Sequence, residues 1–135
     1  LGARDTLRLE AAMPLYGHEM DAETTPLETG LSFFVKMAKE SFIGQESLHK
    51  PATRTRIGLQ ITGRGIAREH CPVFSGDRQI GLTTSGTHAP FLSRPIAMAL
   101  VELGDYTPGQ ALEVEVRGKR LAAEVVALPF YKRAK

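Results

Sequence analysis

The sequence predicts a mainly β chain with helices at its N-terminal end, an α+β arrangement whose C-terminal part forms a small, jelly-roll-like β-barrel. Two observations carry this expectation. From about residue 54 onward, short apolar runs recur at close spacing, divided by turn signals such as Ser75-Gly-Asp77 and Gly118-Lys119. Ahead of them, residues 1–50 carry helix starts and stops instead. Pro51, inside Leu48-His-Lys-Pro-Ala-Thr53, discourages a regular element and marks the connection. The reading is therefore a helical, mixed segment over residues 1–50 and a barrel domain over residues 51–135. A chain of 135 residues is long enough to bury a core.

The elements follow in order. A first helix is expected over Ala3–Ala12. Leu7 and Ala11 stand four residues apart and share a stripe with Ala3 that should be buried. Arg4 and Arg8 share a neighbouring face. Like charges at that spacing cost roughly 0.2–0.5 kcal/mol, which Asp5 offsets through its i,i+3 relation to Arg8. Pro14 ends the helix. Thr25-Pro-Leu-Glu28 reads as a capping box with Pro26 at the first helical position, and Gly30 keeps that helix to a turn or two. Leu31–Lys36 reads as a strand and Gly44–Lys50 as a last short helix. Strands are then expected at Arg56–Thr62, Arg78–Ser85, Ile96–Glu102, Leu112–Arg117 and Arg120–Leu128. Leu112–Arg117 alternates strictly, giving one buried and one wet face. Ile96–Val101 is almost wholly apolar and suits a strand covered on both sides.

Composition narrows the function. A formal charge of +2 is too small to argue for a nucleic-acid or membrane partner, and no apolar run is long enough for a transmembrane helix. The single cysteine, Cys71, cannot close an internal disulfide, so nothing demands an oxidising compartment, and a cytoplasmic location is expected. His18, His49, His70 and His88 lack paired ligand spacing, so no metal is assigned. No nucleophile-elbow pattern occurs. Gly63-Arg-Gly65 reads as a tight turn, and Thr83–Thr87 as a polar strand end and loop. Arg4 and Arg8 are the strongest chemical feature. A guanidinium is a planar fork of donors suited to carboxylates and carbonyl edges. Each arginine has an internal alternative, pairing with Glu10, Asp21 or Glu28. Pro129-Phe-Tyr-Lys-Arg133 is an aromatic and basic tail that either covers a ligand or anchors the last strand.

With these residues in view, Leu1-Gly-Ala-Arg-Asp-Thr-Leu-Arg-Leu-Glu-Ala-Ala-Met-Pro-Leu-Tyr-Gly-His-Glu-Met20 resembles a signature of the glycine cleavage system T-protein family. The resemblance continues through Thr24–Leu31, Val35-Lys36, Phe42–Gly44, Gly81–Gly86 and Pro129–Arg133, over essentially the whole chain. It implies the C-terminal part of a tetrahydrofolate-dependent aminomethyltransferase. Such an enzyme takes the aminomethyl group from the lipoyl arm of H-protein, releases ammonia and forms 5,10-methylenetetrahydrofolate. The resemblance makes Arg4 a folate-contacting residue and adds Tyr131 and Arg133 in the tail. It makes Arg8 and Glu10 structural partners. Met13 stands where the family often has an aromatic residue near the folate. The family's key aspartate and pterin-binding glutamate lie in an N-terminal part that this sequence does not match. No catalytic residue is therefore assigned here, Leu1 is read as the start of a piece of a longer protein, and the chain alone is expected to be inactive. Two other readings are a folate-dependent demethylase of a small methylated amine or sulfonium compound, and a non-catalytic barrel that binds a partner.

Overall fold

In the computed structural model, residues 2–48, 53–90 and 92–131 are described. Among them, six antiparallel strands close into a barrel in the order β1-β4-β3-β2-β5-β6, with β6 returning to β1. The strands are β1 (Arg54–Ile61), β2 (Pro72–Ser75), β3 (Arg78–Ala89), β4 (Arg94–Glu102), β5 (Ala111–Val116) and β6 (Lys119–Val126). The expected small barrel is thus present. Closure pairs every edge, so no strand is left as a template for another chain.

Side-chain alternation builds two cores. Ile57, Leu59 and Ile61 of β1 point inward with Val73, Ile80, Leu112, Val114, Ala123 and Val125. In β4, Ala97, Ala99 and Val101 join that interior, while Ile96 and Met98 face outward into a second cluster with Leu9, Ala12 and Phe130. The apolar run of β4 is therefore covered on both sides, as its composition required. Small residues face inward on β4 because side chains must fill a narrow lumen without overpacking it.

The turns lie at or beside their sequence signals. The β5–β6 turn sits one residue earlier than Gly118-Lys119: Arg117 (φ 52°) and Gly118 (φ 80°) form the two-residue link between Val116 and Lys119, the paired ends of β5 and β6. Gly76 (φ 64°) turns β2 into β3. Thr25 and Glu28 form the expected capping box: Thr25 N–H donates to Glu28 Oε1 at 3.1 Å, and Glu28 N–H donates to Thr25 Oγ1 at 3.2 Å. It caps a turn over residues 26–30 that ends at Gly30 (φ 80°).

Helix α1 (Gly2–Glu10) lies over the second core. It ends at Ala12, whose left-handed backbone (φ 58°) lets Ala12 N–H reach Leu9 O at 2.8 Å and Met13 N–H reach Arg8 O at 2.9 Å. That pair of bonds is a Schellman cap. A short helix α2 (Gln45–Leu48) precedes β1, agreeing with the expected last helix as far as the described residues run. Most of the Leu48–Thr53 connection lies outside them.

Four expectations need correction. The stripe Ala3–Leu7–Ala11 does not face the barrel: Leu7 is 67% exposed, and Leu9 and Ala12 are buried in its place. Leu31–Lys36 is no strand. Ser32–Phe34 forms a 3₁₀ turn in which Phe34 N–H and Val35 N–H donate back to Leu31 O and Ser32 O, because a closed barrel offers no edge to pair with. Strand β2 went unread because it has four residues and opens on Pro72, which is allowed at the first position of a strand. Strand β3 runs on to Ala89, so Thr83–Thr87 is strand interior and not a strand end and loop.

Candidate functional site

Helix α1 is fixed to the barrel by a buried ion pair. Glu19 has a fully buried side chain. Its Oε2 accepts from Arg8 Nη1 at 3.0 Å and from Leu15 N–H at 2.9 Å, and its Oε1 accepts from Thr84 Oγ1 at 3.0 Å. Arg8 uses its remaining donors on Asp5 Oδ1 (2.7 and 3.0 Å), Ser85 Oγ (2.9 Å) and Met13 O (3.3 Å). A buried charge is tolerable only with such saturation. The β3–β4 register shifts between Thr83 and Ser85. This bulge lets the adjacent Thr84 and Ser85 both reach the α1 cluster, where regular pleating would send them to opposite faces.

Arg56 adds a second tether. It stands on the outward side of β1, and its Nη1 donates to Ala12 O at 2.5 Å, at the C-terminal end of α1 where a cation is favourable. Burial pulls the guanidinium below its ordinary pKa, and the nearby Glu19 charge opposes that pull. A third anchor, Arg54, donates to Glu28 Oε2 at 2.9 Å. Burial raises the pKa of Glu28, but the bonds from Arg54 and from Thr25 N–H outweigh it and hold the carboxyl below its ordinary value.

The sequence-selected residues divide accordingly. Arg8 is structural, paired with Asp5 and Glu19 and not with Glu10, Asp21 or Glu28. Glu28 pairs with Arg54, a partner that the sequence did not disclose. Arg4 is exposed on α1 and makes no hydrogen bond or ion pair among the described residues. Tyr131 is 38% exposed, and its N–H donates to Glu10 O at 2.8 Å, which binds the tail to α1. The tail reaches that place because Gly58 has no Cβ; an added one would lie 2.5 Å from Leu128 Cδ2 and 3.2 Å from Phe130 Cε1. Arg133 lies outside the described residues. Met13 is 61% exposed. The residues that sequence reasoning missed are Glu19, Thr84 and Ser85.

A cleft of about 150 Å³ beside Arg8 is lined by Asp5, His18, Arg68, Glu69, Ser85 and Gly86. It is smaller than the roughly 300–1,000 Å³ usual for a cofactor-sized ligand. A larger hollow of about 560 Å³, against Ala111–Glu113 and Ala122–Glu124, has neither Arg4 nor Tyr131 in its lining. Its ionisable lining side chains, Glu113 and Glu124, are both acidic and offer no cation to an anionic ligand. Among the described residues no three His, Cys, Asp or Glu side chains gather as a metal group.

With this geometry in hand, comparison with known proteins is decisive. Residues 54–132 match the glycine cleavage T-protein C-terminal barrel domain, and residues 1–39 match the GCVT N-terminal domain. The chain belongs to the glycine cleavage T-protein family. Its relatives include the aminomethyltransferases of Bacillus pumilus and Listeria welshimeri, each 49% identical over 140 residues that take in all of this chain. The crystal structure of glycine cleavage system aminomethyltransferase T from Bartonella henselae superposes with a TM-score of 0.86 at 36% identity, covering 96% of this chain and 38% of that one. This T-protein family chain spans 38–39% of the length of those curated relatives. No described helix is long and apolar enough to cross a membrane.

Proposed function

We propose that this chain supplies the barrel and the folate-facing helix of a tetrahydrofolate-dependent aminomethyltransferase of the glycine cleavage system, acting in the cytoplasm. Residues 1–50 complete the folate-binding region and residues 51–135 form the barrel domain. The donor is the aminomethyl-lipoyl arm of H-protein, and the products are ammonia and 5,10-methylenetetrahydrofolate. Arg4, Tyr131 and Arg133 contact the folate.

The observation that carries this reading is the contrast between two arginines on one helix. Arg8 is saturated and immobilised by Glu19, Asp5 and Ser85, whereas Arg4, one turn earlier, is presented to solvent with no hydrogen bond or ion pair among the described residues. A rigid helix that holds out an unpaired guanidinium is preorganised for a carboxylate or a heterocyclic carbonyl. Tyr131 is pinned near the other end of the same helix, roughly 9 Å along its axis at 1.5 Å per residue. The two residues could thus bracket one extended ligand.

The test is a hybrid enzyme in which residues 1–135 replace the matching segment of the Bacillus pumilus aminomethyltransferase. The hybrid should form methylenetetrahydrofolate from aminomethylated H-protein, and the 135-residue chain alone should form none. Arg4→Ala should weaken tetrahydrofolate binding roughly 10- to 150-fold, the value of one charge-assisted hydrogen bond of about 1.5–3 kcal/mol. Unchanged folate binding would remove Arg4 from the site. A hybrid that instead demethylates a small amine or sulfonium compound would favour the demethylase reading.

A further inference from the structure

The cleft beside Arg8 holds polar capacity that the fold leaves unspent. Its volume of about 150 Å³ is the share of about five water molecules, at roughly 30 Å³ each, so only a ligand of few atoms fits. Ser85 is 4% exposed. Its Oγ accepts from Arg8 Nη2 at 2.9 Å, and its own proton meets no acceptor among the described residues. Arg8 directs both of its bonds to Asp5 at Oδ1, which leaves Oδ2 open. Arg68 is exposed and makes one bond, from Nη1 to Gly86 O at 3.3 Å; its other donors are open. Gly86 permits that approach, because an added Cβ would collide with Ala67 O. His18 adds a buried nitrogen. Its Nδ1 lies 2.9 Å from Glu69 Oε2, but out of line for a hydrogen bond. Buried polar groups with spare capacity ask for a partner.

The charges around the cleft indicate the chemistry of that partner. Arg8 and Glu19 cancel each other. Arg68 then lines the cleft together with Asp5 and Glu69. A lone anion would be drawn to the guanidinium and repelled by the two carboxylates, and a lone cation would meet the reverse. A molecule with both charges a bond or two apart suits both walls. Ser85 Oγ and Asp5 Oδ1 share one nitrogen of Arg8, so a donor for the carboxylate end and an acceptor for the ammonium end stand side by side. We propose that this cleft binds a small zwitterionic α-amino acid, of which glycine is the smallest. The ligand carboxylate takes the Ser85 hydroxyl proton and the open donors of Arg68. The ligand ammonium donates to Asp5 Oδ2, with Glu69 beside it. Neither Arg4 nor Tyr131 lines the cleft, so this site stands or falls separately from the folate contacts.

The isotope-labelled 135-residue chain is titrated with glycine in a buffer free of amino acids and followed by amide NMR. The amides of Arg68, Ser85 and Gly86 should shift with a Kd of about 1 mM, inside the ceiling for so small a ligand. Acetate and methylammonium, the two halves of the zwitterion, should each bind at least roughly 10-fold more weakly. Arg68→Gln and Asp5→Asn should each weaken glycine binding by roughly 10-fold or more. Arg68 is exposed, and asparagine at position 5 retains an oxygen for Arg8, so both variants should keep the circular dichroism spectrum of the parent. Should one of them lose its fold, the other decides. Arg78→Gln, an exposed arginine outside the cleft, should leave the affinity within about twofold. Absence of saturable shifts up to about 50 mM glycine overturns the proposal. So does acetate or methylammonium that binds as tightly as glycine, because one charge alone would then suffice. Glycine binding that neither Arg68→Gln nor Asp5→Asn weakens also overturns it, because the ligand would then lie elsewhere.

Discussion

Replacing Glu19 should be among the most damaging single changes in this chain. The carboxylate is fully buried and serves three donors: Arg8 Nη1, Leu15 N–H and Thr84 Oγ1. Removing one partner of a buried ion pair costs about 3–5 kcal/mol, because the other charge remains in a poor dielectric. Arg8 is itself only 12% exposed, yet it retains Asp5, which is 47% exposed and therefore a weaker, screened partner. The orphaned Leu15 N–H adds its own desolvation cost, whereas Thr84 Oγ1 can still donate to Met98 O at 3.2 Å. We therefore expect Glu19→Ala to lose about 4 kcal/mol, a large part of the roughly 5–15 kcal/mol that a domain possesses. Glu19→Gln should lose less, about 2–3 kcal/mol, because its amide oxygen still accepts from Leu15 or Thr84. Urea denaturation followed by circular dichroism measures this. With a slope near 2 kcal/mol per molar, the midpoint of Glu19→Ala should fall by roughly 2 M. A double-mutant cycle with Arg8→Met separates the pair from the pocket, and a coupling of roughly 2 kcal/mol is expected. If Glu19→Ala cost under about 1 kcal/mol, or if the two substitutions were additive, the ion pair would not be what holds α1 to the barrel.

Three further outcomes follow from local geometry. A Cβ at Gly86 would collide with the Ala67 carbonyl, which is backbone and cannot swing away, so Gly86→Ala should cost about 3 kcal/mol and lower the melting temperature by roughly 10 °C; a loss under about 3 °C would mean that the 67–86 contact is loose. Arg117 holds φ 52° in the β5–β6 turn, so Arg117→Asn should stabilise the chain by about 0.5–1 kcal/mol in the same melts, and a loss of stability would contradict that turn geometry. Glu28 has its pKa held below the ordinary 4.5. Its contribution is therefore complete above that value and fades as pH falls through the folded-state value. The stability gap between the parent and Glu28→Gln should be full at neutral pH and shrink in acid, as read by urea titrations across that range; a gap that widened in acid would reverse the assignment.

What could be read from the sequence was local. The capping box spans Thr25–Glu28, the hairpin turn falls within one residue of its Gly118-Lys119 signal, and the alternation of Leu112–Val116 is set by neighbours two residues apart. Each reports a backbone preference that acts within a few residues, so the chain declares it without help. The apolar run of β4 likewise announced burial on both faces. Arg4 stood out as a candidate by its residue type and by the resemblance around it, and the structure leaves it exposed on α1.

What lay beyond reach was every contact between distant residues. Arg8 meets Glu19 eleven positions on and Ser85 seventy-seven on, and Glu19 meets Thr84 sixty-five on. Nothing in the local pattern distinguishes Glu19 from Glu10 as the partner of Arg8; the bulge in β3 and the turn after α1 decide it. The same holds for which stripe of α1 turns inward, because Leu7 and Leu9 are equally apolar and only docking on Ile96, Met98 and Phe130 chooses Leu9. The sequence by itself determined five of the six strands, the capping box and the family signature, because these depend on steric and hydrogen-bonding preferences between near neighbours. The tertiary structure alone decided strand order, the facing of α1 and the fate of each arginine. Those depend on which surfaces the closed barrel brings together, and a free energy shared among residues far apart in the chain leaves no mark on any one segment.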